Sequence, residues 1–257
     1  MNILCIGDVV GNNGCDFLRN RLPAIKKHYN IDFCIVNGEN SQEGNGISRA
    51  SAEHLFSSGA DVITGGNHTL RRNEIYEMLE ENPFLLRPAN YPKSVMGKGM
   101  CICDLGYVQI AVINLLGTVY MESMDSPFCV CDELINEAKE KGAKVIVVDF
   151  HAEPTSEKRA MGFYLDSKIT ALFGTHTHVQ TNDSQILPGG TAYITDIGMT
   201  GAKQSVLGIK PEISIGKIKD KLPLRYENAQ GESIMSGWII SLDKSYNVVS
   251  TETINIE

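Results

Sequence analysis

Polar residues of the kinds that bind metal ions follow five short apolar runs of the sequence. They are, in chain order, Asp8 after NILCIG, Glu39 and Asn40 after FCIVNG, Asn67 and His68 after DVITGG, His151 after KVIVVDF, and His176 and His178 after ITALFGT. Carboxylate, amide and imidazole groups together suit manganese, iron or zinc, whereas magnesium and calcium usually prefer oxygen alone. One tetrahedral zinc ion binds fewer ligands than this set offers, whereas two ions that share a bridging carboxylate could use them. Two such ions can bind both oxygens of an in-line displacement at phosphorus and generate hydroxide at neutral pH.

Each of these residues, taken alone, has a simpler structural interpretation. Asp8 and the Glu39-Asn40 pair could cap turns or helices, and His151 could be a hydrogen-bonded core histidine. His176 and His178 differ, because a His-x-His pair at a strand end can direct two imidazoles into one cavity if the backbone leaves regular pleating there. One shared explanation for all five sets is simpler than five separate ones, which favours a metal site.

Apolar, strand-like runs alternate with amphipathic stretches along most of the chain, which is typical of an α/β protein with a largely parallel central sheet. The predicted helices span 15–28, 49–58, 72–80, 132–141 and 155–163, and 88–99 is predicted to be a loop. The segments GGTAYITD and GWIISLDKSYNVVSTETINI predict antiparallel hairpin strands, with a turn at 243–247, that complete or extend a second sheet. Ligands of open α/β sheets bind beyond the carboxyl ends of the strands, where the five polar sets would meet. With no repeat or linker, one domain over 1–257 is expected.

Composition narrows the classes of partner. The chain has 257 residues, 42% hydrophobic and 21% charged, which is an ordinary globular profile. A net charge of -8 without any cluster of lysine and arginine argues against bulk nucleic-acid binding. A small phosphate ester remains compatible, because bound metal ions would be the dominant local charge. The N-terminus lacks signal-peptide features, no apolar run has the length of a membrane helix, and the seven cysteines are interpreted as reduced thiols, so we expect a cytoplasmic protein.

The motifs GDVVG, GEN, GGNH, DFHAE and GTHTHVQT, in this order, resemble those of the calcineurin-like metallophosphoesterase superfamily and, within it, the bacterial YmdB-type family. The resemblance extends to RPANYP, HAEPTSEK, ILPGGTAYITDIGMTG and the region around LPLRYENAQG, and so covers essentially the whole chain. It implies an α/β sandwich of β-sheets flanked by helices, with the site at the C-terminal ends of the strands. It also implies hydrolysis of 2',3'-cyclic nucleotides with two divalent transition-metal ions, iron or manganese first and zinc as an alternative.

The resemblance also assigns roles to single residues. The first metal would be held by Asp8, Glu39, Asn40 and His178, and the second by Glu39 as a bridge together with Asn67, His151 and His176. A metal-bridging hydroxide would be the nucleophile. His68 would donate a proton to the leaving alkoxide, which suits an imidazole because it titrates near neutral pH; the alternative is a spectator turn residue.

Three departures from the wider superfamily pattern stand out. Val10 occupies the position of a usual histidine, and Glu39 with Asn40 replaces a usual bridging aspartate. Both changes also mark the YmdB-type group. After GGNH the chain reads TLRR at 69–72, where an aromatic and an acidic residue are usual, so substrate contacts on that rim are expected to differ.

Three functions fit these motifs. The leading one is a phosphodiesterase for 2',3'-cyclic nucleoside monophosphates, and the second is a phosphatase with broader small-molecule specificity. The third is a regulatory protein that binds a nucleotide or a protein on the same scaffold, although a pure binder has no need of His68 beside the ligands. A purely structural metal site is disfavoured, because such sites are rich in cysteine. The family resemblance also suggests a homo-oligomer.

Overall fold

The computed structural model describes residues 1–257 as thirteen β-strands and six α-helices. The strands are β1 (Asn2–Ile6), β2 (Asp8–Val9), β3 (Phe33–Asn37), β4 (Val62–Thr64), β5 (Met100–Asp104), β6 (Gln109–Leu116), β7 (Val145–His151), β8 (Ala171–Thr175), β9 (Gln185–Ile186), β10 (Ala192–Ile194), β11 (Met199–Ala202), β12 (Ser233–Leu242) and β13 (Val248–Ile256). The helices are α1 (Gly11–His28), α2 (Arg49–Ser58), α3 (Tyr76–Glu81), α4 (Pro127–Glu140), α5 (Thr155–Leu165) and α6 (Pro211–Lys219). None of these helices combines the length and apolar composition needed to cross a membrane.

The first sheet joins the two ends of the chain. Its strands β1, β3 and β4 are parallel neighbours. Strand β12 pairs antiparallel with β1, with Asn2 opposite Ser241 and Ile6 opposite Gly237, and it also pairs with β11 and β13. Strand β2 follows β1 after Gly7 and pairs in parallel with β11. The carboxyl ends of β1, β3 and β4 therefore meet at one end of this sheet.

The second sheet has the strand order β5-β6-β7-β8-β10-β9. Strands β6, β7, β8 and β10 are parallel, and the edge strands β5 and β9 are antiparallel to their neighbours. Its parallel strands consequently bring the carboxyl ends of β6, β7 and β8 together.

The two sheets pack face to face, and helices cover their outer faces. Alternate residues of each strand point to opposite faces, so Val147 and Phe173 pack in the core between the sheets. Val148 and Phe150 lie on the outer face of the second sheet, in the core that includes residues of α4 and α5. Residues of α1, α2 and α3 pack on the outer face of the first sheet. The result is the predicted sandwich with flanking helices.

The alternation of elements predicted a largely parallel central sheet, with antiparallel C-terminal strands in a second sheet, and two sheets are present. The chain divides its parallel strands between two sheets. Alternating runs give the order of the elements but carry no information on which strands pair. The C-terminal hairpin is present, with its turn between β12 and β13, but it extends the first sheet. Strand β10 forms an antiparallel pair with β9 and also lies parallel to β8 in the second sheet.

The predicted helices are present, with shifted ends. Helix α2 has the predicted bounds, since Ser48 and Ser51 form a capping box and Gly59 ends the helix in the left-handed region. Helices α1 and α4 begin four and five residues before the predicted starts at 15 and 132. The helix predicted at 72–80 begins with 3₁₀ turns and becomes α-helical only at Tyr76. Helix α6 was not predicted, and the loop at 88–99 is confirmed.

Candidate metal centre

A layer of buried polar side chains lies where the strands of both sheets end. It consists of Asn37, Thr64, Asn114, Asp149 and Thr175, all fully buried, and we call it the polar layer. Asp149 is at its centre: Oδ2 accepts hydrogen bonds from Asn37 Nδ2 at 3.0 Å and from the Thr64 hydroxyl, and Oδ1 accepts one from Thr175 Oγ1 at 2.7 Å. Burial raises the pKa of Asp149 to about 6, although these hydrogen bonds act in the opposite direction.

The polar layer positions the residues above it. Thr175 Oγ1 lies 2.9 Å from His151 Nδ1, so the other ring nitrogen, Nε2, is directed toward the remaining site residues. Asn37 Oδ1 accepts a hydrogen bond from the Glu39 backbone N–H at 3.2 Å. Asn114 holds the next turn through both the N–H and the carbonyl of Gly65, at 2.9 and 3.1 Å. Partners of this kind fix the ring orientation of metal-binding histidines in known sites.

The polar layer is not among the predicted site residues, although the alternation of strand residues contains a signal for it. In VIVVDFH, residues Val145, Val147, Asp149 and His151 share one face of β7, and the first two point into the core between the sheets. A polar residue that continues an inward-facing apolar series at a strand end must be buried and needs partners. The same parity identifies Asn37 on β3.

The eight predicted site residues converge at these strand ends, and four of them form the deeper group. His151 Nε2 lies 3.0 Å from His176 Nδ1, 3.0 Å from Asn67 Oδ1 and 3.4 Å from Glu39 Oε1. Ligand atoms of Glu39, His151 and His176 all lie within 4.8 Å of one another, a spacing at which one ion could contact all three.

A second group adjoins the first through Glu39. His178 Nε2 lies 3.5 Å from Asp8 Oδ1 and 3.3 Å from Asn40 Nδ2, and that amide nitrogen donates to Glu39 Oε1 at 2.8 Å. Asp8 Oδ1 is buried without any hydrogen-bond partner. A buried carboxylate oxygen without a partner is costly, and a cation would satisfy it. The donors therefore fit divalent metal ions, while the individual ligand roles stay predictions.

The His-x-His turn departs from regular pleating, which is the condition stated above for both imidazoles to point into one cavity. His176 and His178 have φ of 102° and 62°, in the left-handed region that non-glycine residues rarely adopt. Between them, Thr177 donates to Asp196 Oδ2 from its N–H at 3.1 Å and from its hydroxyl at 2.7 Å. The same oxygen accepts from the buried Lys158 ammonium at 2.7 Å. This buried ion pair holds a strained turn at the place where both imidazoles are needed.

His68 lies beside the cluster on the turn after Gly66. Its backbone N–H donates to Glu39 Oε2 at 2.8 Å, and its Nδ1 lies 2.9 Å from Asn40 Oδ1 and 3.1 Å from Glu39 Oε1. The other ring nitrogen, Nε2, makes none of these contacts, so it is free to bind a ligand in the cavity that His68 lines. Only glycine fits at 66, because a Cβ there would lie 2.2 Å from Glu39 Oε2 and 2.5 Å from His151 Nε2.

Charges in the deeper group favour a protonated His151 when no metal is bound. Burial opposes charge on His151, yet Glu39 and Asp8 raise its pKa to about 9. Burial likewise raises the pKa of Glu39, but His151 and His68 bring it well below its ordinary value. Burial and then the His151 charge lower the pKa of His176 to about 4. A metal ion must therefore displace the proton of His151, since only a neutral imidazole binds metal.

A cavity of about 540 Å³ opens in front of this cluster. Within TLRR, Arg72 donates to the backbone oxygens of Glu43 and Asn45 at 2.8 and 3.2 Å, so it fixes the loop at one edge. Arg71, by contrast, is exposed and lines the cavity. This rim therefore carries one structural arginine and one that lines the cavity.

Two facing sheets with a cluster of carboxylate, amide and imidazole groups at their strand ends define the metallophosphoesterase fold, as predicted. The same architecture occurs in a 5'-nucleotidase precursor from Thermus thermophilus, with a TM-score of 0.63 at 11% identity over 100% of this chain and 54% of that one. More specifically, residues 4–254 match the family described as YmdB-like protein, and the chain belongs to that family.

Two relatives are much more similar. A protein of Bacillus subtilis (strain 168), named 2',3'-cyclic-nucleotide 2'-phosphodiesterase, is 46% identical over 243 residues, which cover 95% of this chain and 92% of the relative. The crystal structure of a novel phosphatase from Mycoplasma pneumoniae superposes with a TM-score of 0.93 at 35% identity, covering 100% of this chain and 93% of that one. The likeness thus extends over the whole sandwich.

The link between Asp149 and His151 can be tested by Thr175→Val, which removes the hydroxyl and keeps the shape. We expect the free energy of unfolding to fall by about 1–3 kcal/mol, because buried hydrogen-bond partners are left unsatisfied. Metal affinity should fall about 10- to 100-fold, as is typical for loss of a residue that orients a ligand. Urea unfolding and metal titration measure the two effects.

Thr200→Val is the matched control, because Thr200 is equally buried but its hydroxyl has no partner. This substitution should be neutral or stabilising. Equal losses in the two variants would show that the polar layer does not orient His151.

Proposed function

We propose that the protein hydrolyses 2',3'-cyclic nucleoside monophosphates with two bound divalent transition-metal ions, iron or manganese. The observation that carries the proposal is the cluster of Glu39, His151 and His176 within 4.8 Å, beside the buried Asp8 Oδ1 that accepts no hydrogen bond. The name of the Bacillus subtilis relative supports the substrate class.

The two groups of the cluster correspond to two overlapping ligand sets. One ion would be held by Asp8, Glu39, Asn40 and His178, and the other by Glu39, Asn67, His151 and His176. Glu39 would belong to both sets, because its Oε1 lies 2.8 Å from Asn40 Nδ2 and 3.4 Å from His151 Nε2. When bound, the ions supply positive charge for the phosphoryl oxygens and lower the pKa of water so that it can act as the nucleophile.

In this reaction the oxygen of water forms a bond to phosphorus, and the bond from phosphorus to a ribose oxygen breaks. His68 gives the departing oxygen a proton from Nε2, while Nδ1 lies 2.9 Å from Asn40 Oδ1 and 3.1 Å from Glu39 Oε1. The Bacillus subtilis relative is named a 2'-phosphodiesterase, so we expect O2' to depart and a nucleoside 3'-monophosphate to form.

The test is a metal analysis combined with an assay. Protein purified without chelator should contain about two transition-metal ions per chain and convert 2',3'-cyclic AMP to 3'-AMP. Chelation should remove the activity, and manganese or iron should restore it. If the stripped protein stays inactive after metal is restored, the proposal is wrong. Turnover of bis-p-nitrophenyl phosphate without turnover of the cyclic nucleotide would favour the broader phosphatase instead.

Three further predictions concern the protein as a whole. A single domain over 1–257, a homo-oligomer and a cytoplasmic location stay predictions. Limited proteolysis tests the first and light scattering the second.

A further inference from the structure

One segment of the chain supplies most of the apolar part of the cavity lining. Val206, Leu207, Ile218 and Tyr226 line the cavity, and we call them the apolar wall. They belong to the turn after β11, to α6 and to the extended stretch that follows. The lining around the metal centre is polar by contrast and includes Glu39, Asn40, His68, His176 and His178.

The large apolar side chains of the apolar wall are exposed to solvent. Leu207, Ile218 and Tyr226 are 45%, 68% and 46% exposed. Large apolar side chains that are grouped beside a polar site, rather than scattered over the surface, mark a contact surface for a ligand. A bare phosphate needs no such surface, and a cavity of about 540 Å³ is much larger than a phosphate group.

The apolar wall is also fixed relative to the metal centre. The backbone oxygen of Leu207 lies 3.1 Å from His178 Nδ1. Leu207 has φ of 55°, and its turn is closed by two backbone hydrogen bonds between Val206 and Ile209, at 2.8 and 3.0 Å. Because strained backbone persists only where the surroundings enforce it, this turn places the Leu207 side chain at a set distance from the cluster.

Tyr226 is held in place by a cation. Lys217 Nζ lies 4.0 Å from the centroid of its ring and donates to the backbone oxygen of Leu224 at 2.9 Å. A half-exposed aromatic ring that is fixed by a neighbour offers a flat surface at little entropic cost, and aromatic rings of this kind stack with nucleobases.

We infer that the apolar wall binds the nucleobase of the substrate, with Tyr226 as the stacking surface. This inference rests on the proposed function, because it places the cyclic phosphate at the metal centre and the base on the wall. It predicts that the enzyme prefers cyclic nucleotides to cyclic phosphodiesters that lack a base.

The experiment compares Tyr226→Ala and Tyr226→Phe with wild type on two substrates. These are 2',3'-cyclic AMP and glycerol 1,2-cyclic phosphate, which has the same five-membered ring but no base. Tyr226→Ala should lower kcat/KM for the nucleotide by about 5- to 150-fold, the effect of losing one stacked base, and leave the glycerol ester unchanged. Tyr226→Phe should retain nucleotide turnover. Tyr107→Ala, at an exposed tyrosine outside the cavity, is the control.

A binding measurement separates the two proposals. Calorimetry on metal-loaded protein compares 3'-AMP with inorganic phosphate, and the wall predicts tighter binding of 3'-AMP that Tyr226→Ala abolishes. If wild type hydrolyses neither ester but shows this binding difference, the proposed function fails and the apolar wall stands. If Tyr226→Ala changes kcat/KM equally for both substrates, or for neither, the base site is wrong. Failure to bind 3'-AMP more tightly than phosphate also overturns it.

Discussion

Glu39→Gln is expected to abolish turnover and to leave a folded protein that binds little metal. Glu39 adjoins both ligand groups, with Oε1 2.8 Å from Asn40 Nδ2 and 3.4 Å from His151 Nε2. Glutamine keeps the size and one oxygen, so the hydrogen bond from the His68 N–H to this side chain can persist. It removes the negative charge that offsets two closely spaced cations.

The size of the effect follows from the place of Glu39 among the ligands. Loss of residues that merely orient ligands weakens metal binding about 10- to 100-fold, and loss of the shared carboxylate should weaken it more. Turnover should fall about 10⁴-fold or more, the scale seen when one member of an interdependent catalytic group is removed.

The matched control is Glu157→Gln, another buried glutamate, which accepts a hydrogen bond from the Thr118 N–H at 2.8 Å away from the cluster. Metal content by mass spectrometry, kcat/KM and circular dichroism are measured for both variants. Glu157→Gln should retain its metal. Full metal content and activity in Glu39→Gln would rule out Glu39 as the shared ligand.

His68→Ala is expected to retain metal and to lose about 10²- to 10⁴-fold in kcat on 2',3'-cyclic AMP, the usual contribution of a positioned proton donor. The ribose oxygen needs a proton as it departs, because an alkoxide is a poor leaving group. A p-nitrophenolate ion leaves readily without one. The loss should therefore be much smaller on bis-p-nitrophenyl phosphate.

The comparison of two leaving groups distinguishes a proton donor from a positioning residue. If His68 only positions Glu39 or Asn40, kcat should fall by the same factor on both substrates. His28→Ala is the control, since His28 lies at the end of α1 and is not among the residues that line the cavity. Loss of metal from His68→Ala would contradict the donor role directly.

The eight converging residues could be predicted from the sequence because they follow apolar, strand-like runs. The apolar wall could not be predicted from the sequence, because its residues carry no group that does chemistry. They are relevant to the site only because the fold places them near His178. The prediction that both imidazoles enter one cavity required the backbone to leave regular pleating at His176. The sequence does not indicate this, because histidine rarely has positive φ. Contacts from distant residues such as Asp196 hold the turn in this conformation.

In the fold, too, the features set by neighbouring residues in the chain were predicted, and those set by contacts between distant residues were not. Helix α2 has the predicted bounds, and the features that end it, a capping box and a terminal glycine, are local in the chain. The allocation of β6 to one sheet and β3 to another depends on pairing between residues far apart in the chain, which no short pattern records.

Because β1 pairs with β12, the first sheet can be completed only after the C-terminal strands have been synthesised. Asn2 leaves the ribosome long before its partner Ser241 is made. At about 5–20 residues per second, β1 waits roughly 10–50 s for this neighbour. Until then one edge of β1 lacks its final neighbour, and an open apolar strand edge is of the kind that promotes aggregation. Asp8, which follows β1, gains its final surroundings only after β12 has been made.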